Sequence, residues 1–250
     1  MTSEVASATT EVTSATTEVA SATTVDANTF TYSFNIIYAE TKEHGIGYEG
    51  RLPWQGVAEL SAAAKIDTKV FRDLTTGAAV IMGLTTALSL PKGYLPSRDN
   101  YILTSKYDST RAIEAADLTR FGANASQTVA LLAAIESGTV RFAASIGELD
   151  TLVGIFGKGV NQPIFVIGGE VVYTQFKKFP TLNNIYVTVL WSEEVLPADT
   201  YFTVITSNMF YSNYCRCGSN LRFGLYTKNK DMDEDVAHYK AIIDKHMPTM

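Results

Sequence analysis

An acidic residue on an apolar helical face is the first candidate for chemistry in this sequence. Asp67 is spaced three or four residues from the apolar side chains that follow it, so it shares one face of a predicted helix with Val70, Phe71 and Leu74. Because an unpaired charge on such a face is costly, its carboxylate must be paired, cap the helix or do chemistry. Taken alone, Asp67 fits the capping role, since aspartate is a favoured N-cap residue.

Two glycine-containing stretches follow predicted apolar strands. The first, Gly45 to Trp54, reads G-I-G-Y-E-G-R-L-P-W and comes after the apolar run Phe34–Ala39. Its glycines permit positive φ and let the backbone lie against a ligand, while Leu52 and Trp54 supply apolar surface. The second, Gly168-Gly169, ends an apolar strand at a helix start, where backbone can approach a pyrophosphate closely. Taken alone, each stretch also fits an ordinary turn.

Apolar runs of strand length alternate with helical patterns along most of the chain. The predicted strands are Phe34–Ala39, Ala78–Met82, Asn100–Thr104, Val140–Ala143, Pro163–Ile167, Asn184–Leu190, a stretch near Tyr201–Ile205, and Leu221–Thr227. The predicted helices are Ile66–Thr76, Gln127–Glu136, Ile146–Phe156 and Val171–Phe176. This alternation predicts a single α/β domain with a central, mainly parallel, twisted sheet of about eight strands and helices on both faces. The last strands follow one another without helices, which predicts an antiparallel C-terminal edge.

Composition indicates one globular domain flanked by two different tails. The chain has 250 residues, of which 46% are hydrophobic and 18% charged, so it can form one substantial core. Residues 4–24 repeat a seven-residue unit that contains valine, serine and threonine and has little apolar surface to bury. We therefore predict a disordered tail over residues 1–28, a folded domain over 29–230 and a charged tail or helix over 231–250.

Charge and cysteine usage disfavour several function classes. The formal net charge of -6, without a basic cluster, argues against nucleic-acid binding. Cys215 and Cys217 are too close for an ordinary disulfide, and three isolated histidines add no metal-ligand pattern. No apolar run reaches membrane-spanning length. These features predict a cytoplasmic protein with reduced cysteines, no metal and no contact with a membrane.

Several strings of residues, taken together and in order, resemble the dihydrofolate reductase family. Gly45 to Trp54 resembles the substrate loop of the family, which follows a strand ending in alanine, here Ala39. From Asp67, D-T-K-V-F-R-D-L-T-T matches the acid, phenylalanine and threonine pair of the family, and V-I-M-G-L-T-T-A-L-S-L-P matches its next strand and helix. Arg98, followed by Asn100 two residues later and then by I-L-T-S, matches the family's arginine run, and Gly168-Gly169 matches a glycine pair that family members join by a cis peptide bond.

The resemblance implies an NADPH-dependent reductase that converts dihydrofolate to tetrahydrofolate in one-carbon metabolism. The implied catalytic residues are Asp67, Trp54 and Thr188. The implied substrate contacts are Ile37, Ala39, Leu52, Phe71, Leu90, Leu95, Arg98, Ile167 and Tyr173. The implied cofactor contacts are Ala39, Ile46, Gly47, Gly50, Gly83, Thr85, Thr86, Leu103, Thr104, Ser105, Ile167, Gly168, Gly169, Glu170, Val171, Val172 and Tyr173. The resemblance also implies a monomer, or part of a fusion with thymidylate synthase.

The position of the acid departs from the family pattern. Asp67 lies farther from Trp54 than the acid of the family does, whereas Glu59 lies nearer. We interpret Gln55 to Lys65 as containing an insertion and favour Asp67, because Phe71 and two threonines follow it at the family spacing.

Other departures leave alternative functions open. Leu84 stands where the family has a basic residue and Ala87 where it has tryptophan, which weakens the case for strict selection of NADPH over NADH. Lys106 is the candidate replacement cation, and residues 107–139 exceed the usual connection and resemble a surface insertion. A pyrimidine reductase on the same fold, and a non-catalytic protein that binds pterin or nucleotide, are the alternatives.

Overall fold

The computed structural model describes residues 29–157, 162–203, 210–217, 220–228 and 233–246, and these form an α/β fold. The N-terminal repeats and the end of the strand predicted near Tyr201–Ile205 lie outside the described residues. The strands are β1 (Phe34–Thr41), β2 (Gly45–Gly47), β3 (Ala79–Gly83), β4 (Asp99–Leu103), β5 (Val140–Ala143), β6 (Ile164–Gly168), β7 (Leu182–Leu190), β8 (Thr200–Tyr201), β9 (Phe210–Cys217) and β10 (Leu221–Thr227). The helices are α1 (Ser61–Thr75), α2 (Leu84–Ser89), α3 (Ala115–Phe121), α4 (Ala125–Glu136), α5 (Ile146–Phe156), α6 (Glu170–Phe176) and α7 (Asp233–His246).

An eight-stranded sheet forms the centre of the fold, in the order β5-β4-β3-β6-β1-β7-β10-β9. The neighbours from β5 to β7 are parallel. By contrast, β10 is antiparallel to both β7 and β9. The short strands β2 and β8 pair with each other in a separate sheet. The predicted mainly parallel sheet with an antiparallel C-terminal edge is therefore confirmed.

Successive residues of the central strands face opposite layers of helices. On β1, Ile36 and Tyr38 belong to the buried cluster under α5 and α6, whereas Ile37 belongs to the cluster under α1, α4 and α7. On β3, Ile81 and Val80 divide between the two clusters in the same way. Because side chains alternate along a strand, a strand covered on both faces must be apolar throughout. This is why β1 and β3 are visible in the sequence as continuous apolar runs.

Helix α1 begins five residues earlier than the predicted start at Ile66. It starts at Ser61 and follows a 3₁₀ turn at Ala58–Leu60, so the second half of the stretch interpreted as containing an insertion is helical. The added turn contains three consecutive alanines, which have the highest helix propensity. Asp67 consequently lies inside α1, and its interpretation as an N-cap is wrong.

The segment 107–139 is more ordered than the predicted surface insertion. Helices α3 and α4 pack together and bury Leu118 and Leu131 completely. Capping boxes begin both helices, with Glu114 and Asp117 at α3 and Asn124 and Gln127 at α4. The segment therefore adds to the core.

Strand β9 has no counterpart among the predicted strands. Its sequence, F-Y-S-N-Y-C-R-C, lacks a continuous apolar run. In the sheet it lies at the edge and pairs with β10 alone, so the hydrogen-bonded ladder specifies it more than an apolar pattern does. The strand predicted near Tyr201–Ile205 is, among the described residues, the two-residue β8.

The C-terminal segment contains a docked helix, α7. Its Tyr239 and Ile243 are fully buried, and the ring of Tyr239 meets that of Tyr186 edge-on, with centroids 4.9 Å apart. Acidic residues in its first turn and Lys245 and His246 in its last turn complement the helix dipole. Like the other helices of the described ranges, α7 lacks the length and apolar character needed to cross a bilayer.

Candidate active site

A cleft of about 1420 Å³ opens along the carboxyl ends of the parallel strands. Its walls include Ile37 and Ala39 of β1, Ile167 of β6, Gly83 of β3 and Leu103 of β4. Parallel α/β sheets bind ligands at this edge, where the strand ends and the following loops converge. The volume exceeds the roughly 300–1,000 Å³ of a pocket for one small ligand. The cleft therefore has room for two ligands side by side.

Asp67 is the carboxylate that the middle of α1 presents to the cleft. Thr188 of β7, 4% exposed, forms a side-chain hydrogen bond with it. Burial raises the pKa of Asp67 from 3.8 to about 6, and the hydrogen bond with Thr188 opposes that rise. A carboxyl group with this pKa can hold or release a proton near neutral pH.

Glu59, the competing acid, has a different environment. It is exposed on the 3₁₀ turn before α1, and its carboxylate accepts a hydrogen bond from Ser192. The added helical turn thus directs Glu59 to the surface and leaves Asp67 at the cleft.

Tyr173 of α6 forms a rigid wall of the cleft. Its hydroxyl donates to the carbonyl of Ile37 at 2.9 Å, and its ring stacks on Phe202 with centroids 4.8 Å apart. Burial, together with the nearby charge of Asp67, raises the pKa of Tyr173 far above its ordinary value. Tyr173 therefore remains a neutral hydrogen-bond donor.

Apolar side chains enclose the cleft around Asp67. Phe71 lies one helical turn after Asp67, and Trp54 is 4% exposed at the end of the glycine-containing loop. Leu52, also in the loop, is 51% exposed and presents its side chain at the cleft. A flat ring with N–H groups on one edge would be held between these apolar surfaces with its N–H groups toward Asp67.

Arg98 is held at the cleft by the last turn of α1. Its guanidinium donates to the carbonyl of Pro96 at 2.7 Å, to that of Arg72 at 3.1 Å and to Oγ1 of Thr75 at 3.1 Å. Buried Asn100 fixes the preceding turn, since its side chain bonds both the N–H and the carbonyl of Leu95 at 2.9 Å. Within the described ranges no carboxylate forms an ion pair with Arg98, so its charge is available to an anionic ligand.

The glycine-containing loop is fastened by Asp199. The carboxylate of Asp199 accepts from the N–H of Glu49 at 2.7 Å, and its own N–H donates to the carbonyl of Gly47 at 3.0 Å. Gly50 has a φ of +74°, which favours glycine at the tip of the turn. The bond from Glu49 is the main reason that the pKa of Asp199 is lowered. A charged acceptor therefore holds the loop over the cleft.

Gly168 and Gly169 bring bare backbone to the cleft between β6 and α6. The peptide bond joining them is cis, and Gly168 has a φ of +123°. A Cβ on Gly168 would lie 3.1 Å from the hydroxyl of Tyr173, and one on Gly169 would lie 3.2 Å from Oγ1 of Thr86. Glycine at both positions thus leaves a backbone cradle that a side chain would fill.

Two further segments line the far end of the cleft. Thr104, Ser105 and Lys106 follow β4, and residues 144–146 lead into α5. Ser145 caps α5 by accepting from the N–H of Glu148 at 3.2 Å, and Glu148 in turn accepts from the N–H of Ala144 at 2.7 Å. This end is lined mainly by small hydroxyl side chains and one lysine.

Comparisons with known proteins agree with this architecture. A sequence model described as dihydrofolate reductase matches residues 33–136. The dihydrofolate reductase of Drosophila melanogaster is 29% identical over 174 residues, which is 69% of this chain and 80% of that protein. That of Aedes albopictus is 26% identical over 211 residues, 84% of this chain and 92% of that protein. The chain is therefore similar to dihydrofolate reductases, and the matching model covers the part of it from residue 33 to residue 136.

Some members of the dihydrofolate reductase family similar to this chain are much longer. The bifunctional dihydrofolate reductase-thymidylate synthase 2 of Arabidopsis thaliana is 26% identical over 207 residues, 78% of this chain but 31% of that protein. The chain spans about a third of the length of the plant bifunctional relatives that it matches.

The departures from the family pattern have different structural settings. Leu84 and Ala87 of α2 are buried, at 8% and 0% exposure, and both pack in the cluster under α1. Lys106 is exposed at the rim of the cleft. A buried leucine cannot pair with a phosphate, so Lys106 is the remaining cation that follows β4.

The cleft brings together nearly every site residue predicted from the dihydrofolate reductase resemblance. Asp67, Trp54 and all the predicted substrate and cofactor contacts line it, whereas Thr188 lies behind Asp67. Leu84 and Lys106, discussed above as departures from the family pattern, also line it, and the prediction missed Tyr38, Arg51, Gln55, Thr68, Arg72, Ser89, Ala144, Ser145, Ile146, Gln175 and Thr200. The S-I-G-E pattern that begins at Ser145 is typical of a helix N-terminus. It could have indicated that Ala144, Ser145 and Ile146, at the start of α5, line the cleft.

Removing the carboxylate of Asp199 is expected to loosen the glycine-containing loop. In Asp199→Ala the N–H of Glu49 loses its charged acceptor, so Kd for ligands of the cleft is expected to rise several-fold. Hydrogen exchange of the amides in residues 45–52 is expected to accelerate.

Asp199→Asn, which keeps one acceptor oxygen, serves as the intermediate control. Unchanged exchange in Asp199→Ala would show that β2 and β8 hold the loop without the carboxylate.

Proposed function

We propose that this chain reduces dihydrofolate to tetrahydrofolate with hydride from NADPH. The proposal depends mainly on the surroundings of Asp67. Its carboxylate is desolvated and hydrogen-bonded to Thr188. It lies one helical turn from Phe71, in the same cleft as Arg98. An acid for the pterin and a cation for the glutamate tail thus lie in one cleft.

The substrate half of the cleft would bind the pterin through Asp67. The Asp67 carboxylate accepts hydrogen bonds from the amino and ring N–H groups of the pterin, and Thr188 holds the carboxylate in place. Phe71 and Leu52 contact the flat faces of the substrate. Arg98 binds the α-carboxylate of the glutamate, a planar partner that suits its guanidinium.

The residues of the other half fit a dinucleotide. The cradle at Gly168 and Gly169 would hold the pyrophosphate, since a Cβ at either position would fill the space. Ala39, Ile167 and Tyr173 line the middle of the cleft, where a nicotinamide would lie beside the pterin. When bound, NADPH supplies the hydride that is added to C6 of the substrate.

The chain supplies orientation, water exclusion and control of a proton. Trp54 and Leu52 cover the pterin half, which limits access of water. Asp67, with a pKa of about 6, promotes protonation of the pterin at N5. The hydrogen bonds that its carboxylate accepts from the N–H groups of the pterin hold the ring. Tyr173 is fixed to Ile37 and keeps the wall between the two ligands rigid. Positioning of the two reactants contributes most of the rate.

A spectrophotometric assay tests the proposal directly. Purified protein is expected to consume NADPH in proportion to added dihydrofolate and to produce tetrahydrofolate. Binding of both ligands without turnover would instead identify a non-catalytic family member. Turnover of a pyrimidine substrate with no turnover of dihydrofolate would identify a pyrimidine reductase.

Cofactor discrimination is expected to depend on Lys106, because Leu84 is buried and uncharged. In Lys106→Gln the Kd of NADPH is expected to rise about three- to fivefold, as for an exposed ion pair, while that of NADH stays constant. Fluorescence titration of both cofactors measures the effect.

Lys178→Gln, a change at an exposed lysine after α6, is the charge-matched control. Equal weakening of NADPH and NADH by Lys106→Gln would show that Lys106 does not contact the 2′-phosphate.

The cellular setting follows from the proposed reaction. Tetrahydrofolate carries one-carbon units, so the chain would support thymidylate synthesis, as a cytoplasmic monomer or within a fusion with thymidylate synthase. Antifolates would be inhibitors of this cleft.

A further inference from the structure

The first turn of α4 is hydrogen-bonded to the end of α2. The side-chain amide of Gln127 donates to the carbonyl of Leu88 at 2.8 Å and to that of Leu90 at 2.9 Å. Helix α2 ends at Ser89, and carbonyls at a helix C-terminus have no partner within the helix. Gln127 therefore caps the end of α2 from a helix that is distant in sequence.

Gln127 is buried and held in one orientation. It is 5% exposed, and its side-chain oxygen accepts from the N–H of Asn124 at 3.1 Å. Its own N–H donates to Oδ1 of Asn124 at 2.9 Å, which completes the capping box of α4. The amide oxygen and the amide nitrogen of the side chain thus both have partners, so the contact with α2 has a fixed geometry.

A second contact of α4 holds the turn that follows Leu90. The carbonyl of Leu90 also accepts from the N–H of Gly93 at 3.0 Å, and Gly93 has a φ of +77°. Leu131, one helical turn after Gln127, is fully buried, and a Cβ on Gly93 would lie 2.8 Å from its Cδ1. Leu131 thus packs directly on the backbone of the turn, and α4 fixes the turn through two side chains.

The turn held by α4 is part of the wall of the cleft. Leu90 and Leu95 line the cleft together with Asp67 and Phe71. The segment between α2 and β4 contains neither helix nor strand, so its position depends on side-chain contacts. Gln127 holds one end of this segment, and the side chain of Asn100 holds Leu95 near the other.

We propose that Gln127 is a positioning residue of the substrate site, which holds Leu90 and the turn after it in the place that a bound folate requires. The inference rests on the proposed function, because it takes dihydrofolate to be the ligand of this wall. Gln127 is not itself a lining residue, so it acts through the backbone of the segment that it holds. The role belongs to the segment 107–139, which is longer than the connection expected from the dihydrofolate reductase resemblance and supplies α4.

Gln127→Met tests the inference, because methionine has a similar length and volume but no N–H to donate. The Kd and the KM for dihydrofolate are expected to rise about fivefold, since two hydrogen bonds to the wall are lost. The kcat at saturation and the Kd of NADPH are expected to stay nearly unchanged, because the loss concerns binding of one ligand. Gln127→Glu, which places oxygen atoms against both carbonyls, is expected to raise the Kd for dihydrofolate further. Steady-state kinetics and fluorescence titration of the full chain measure these changes.

Thr128→Val is the matched control within α4. Thr128 is 9% exposed and donates to the carbonyl of Asn124 at 3.0 Å, so its replacement removes a hydrogen bond from α4 but leaves Gln127 in place. The Kd for dihydrofolate is expected to be that of the unchanged protein. An increase in this Kd equal to that of Gln127→Met would overturn the inference, because any weakening of α4 would then have the same effect.

Hydrogen exchange of the unchanged protein tests the same coupling without a variant. Bound dihydrofolate is expected to slow exchange in residues 90–95 and also in the first turn of α4, since Gln127 joins the two segments. Unaltered exchange in α4 would contradict the inference even if the Gln127 variants failed to fold.

The outcomes separate this inference from the proposed function. If the unchanged protein reduces dihydrofolate but Gln127→Met has the same Kd, or if dihydrofolate and NADPH are weakened equally, the inference is wrong. Failure of the unchanged protein to bind dihydrofolate would instead overturn the proposed function.

Discussion

Asp67→Asn is expected to lower kcat/KM for dihydrofolate by roughly 2–4 kcal/mol of transition-state stabilisation, as for loss of a catalytic acid or charge. Asparagine preserves the shape of the side chain but lacks the charged carboxylate that accepts hydrogen bonds from two N–H groups of the pterin. Steady-state kinetics with saturating NADPH measure the change. Binding of NADPH, followed by fluorescence, is expected to be nearly normal.

The dependence of this activity on pH identifies the group. The free carboxyl of Asp67 is neutral below pH about 6 and ionised above it. The kcat/KM profile of the unchanged protein is therefore expected to show a transition near pH 6 that is absent from Asp67→Asn. Activity of the variant is expected to recover partly at low pH, because more of the substrate arrives already protonated.

Stability provides a control for folding of the Asp67→Asn protein. The raised pKa means that ionised Asp67 destabilises the folded state above pH 6, by up to roughly 3 kcal/mol for about two pKa units. Well below the ordinary pKa of 3.8 the carboxyl is neutral in both states and this term vanishes. Asp67→Asn is thus expected to be more stable than the parent at neutral pH and equal to it near pH about 3. Denaturant titration at both pH values measures this difference.

Glu59→Gln is the matched acid-to-amide control. Glu59 is exposed and bonded to Ser192, so its replacement is expected to leave kcat/KM almost unchanged at any pH. An inactive Glu59→Gln together with an active Asp67→Asn would falsify the choice of acid.

Arg98→Leu is expected to weaken binding of folates and antifolates that carry a glutamate by about 2–4 kcal/mol, as for loss of one partner in a buried charge pair. Small antifolates without the tail are expected to bind almost as before. The comparison matters because Arg98 also donates to the carbonyl of Arg72 and to Thr75, and could act only by holding α1. Titration of both inhibitor classes separates the two roles.

Two further variants sharpen the test of Arg98. Arg98→Lys keeps the charge but loses the planar fork, so intermediate affinity for tail-bearing ligands is expected. Arg120→Leu removes an arginine that pairs with Asp117 on α3 and is expected to affect neither class. Equal losses for both inhibitor classes in Arg98→Leu would show that Arg98 is structural.

The sequence by itself determined the central sheet and the local shape of the cleft. β1 and β3 are covered on both faces, which requires continuous apolar runs that are visible without a structure. Glycine at Gly50 and Gly168 marks positive φ, a property of the residue itself. These features depend on neighbours in sequence or on the presence of a core, so local patterns predict them.

Tertiary structure alone decided the surroundings of the charged groups. Asp67 obtains its raised pKa from burial and from Thr188 on β7, far away in sequence. Arg98 is held by the end of α1, and Lys245 reaches Asp73 across 172 positions of the chain. Edge strand β9 likewise depends on its pairing with β10. Hydrogen bonds and desolvation depend on which distant segments come into contact in the fold. Composition and periodicity do not predict those contacts.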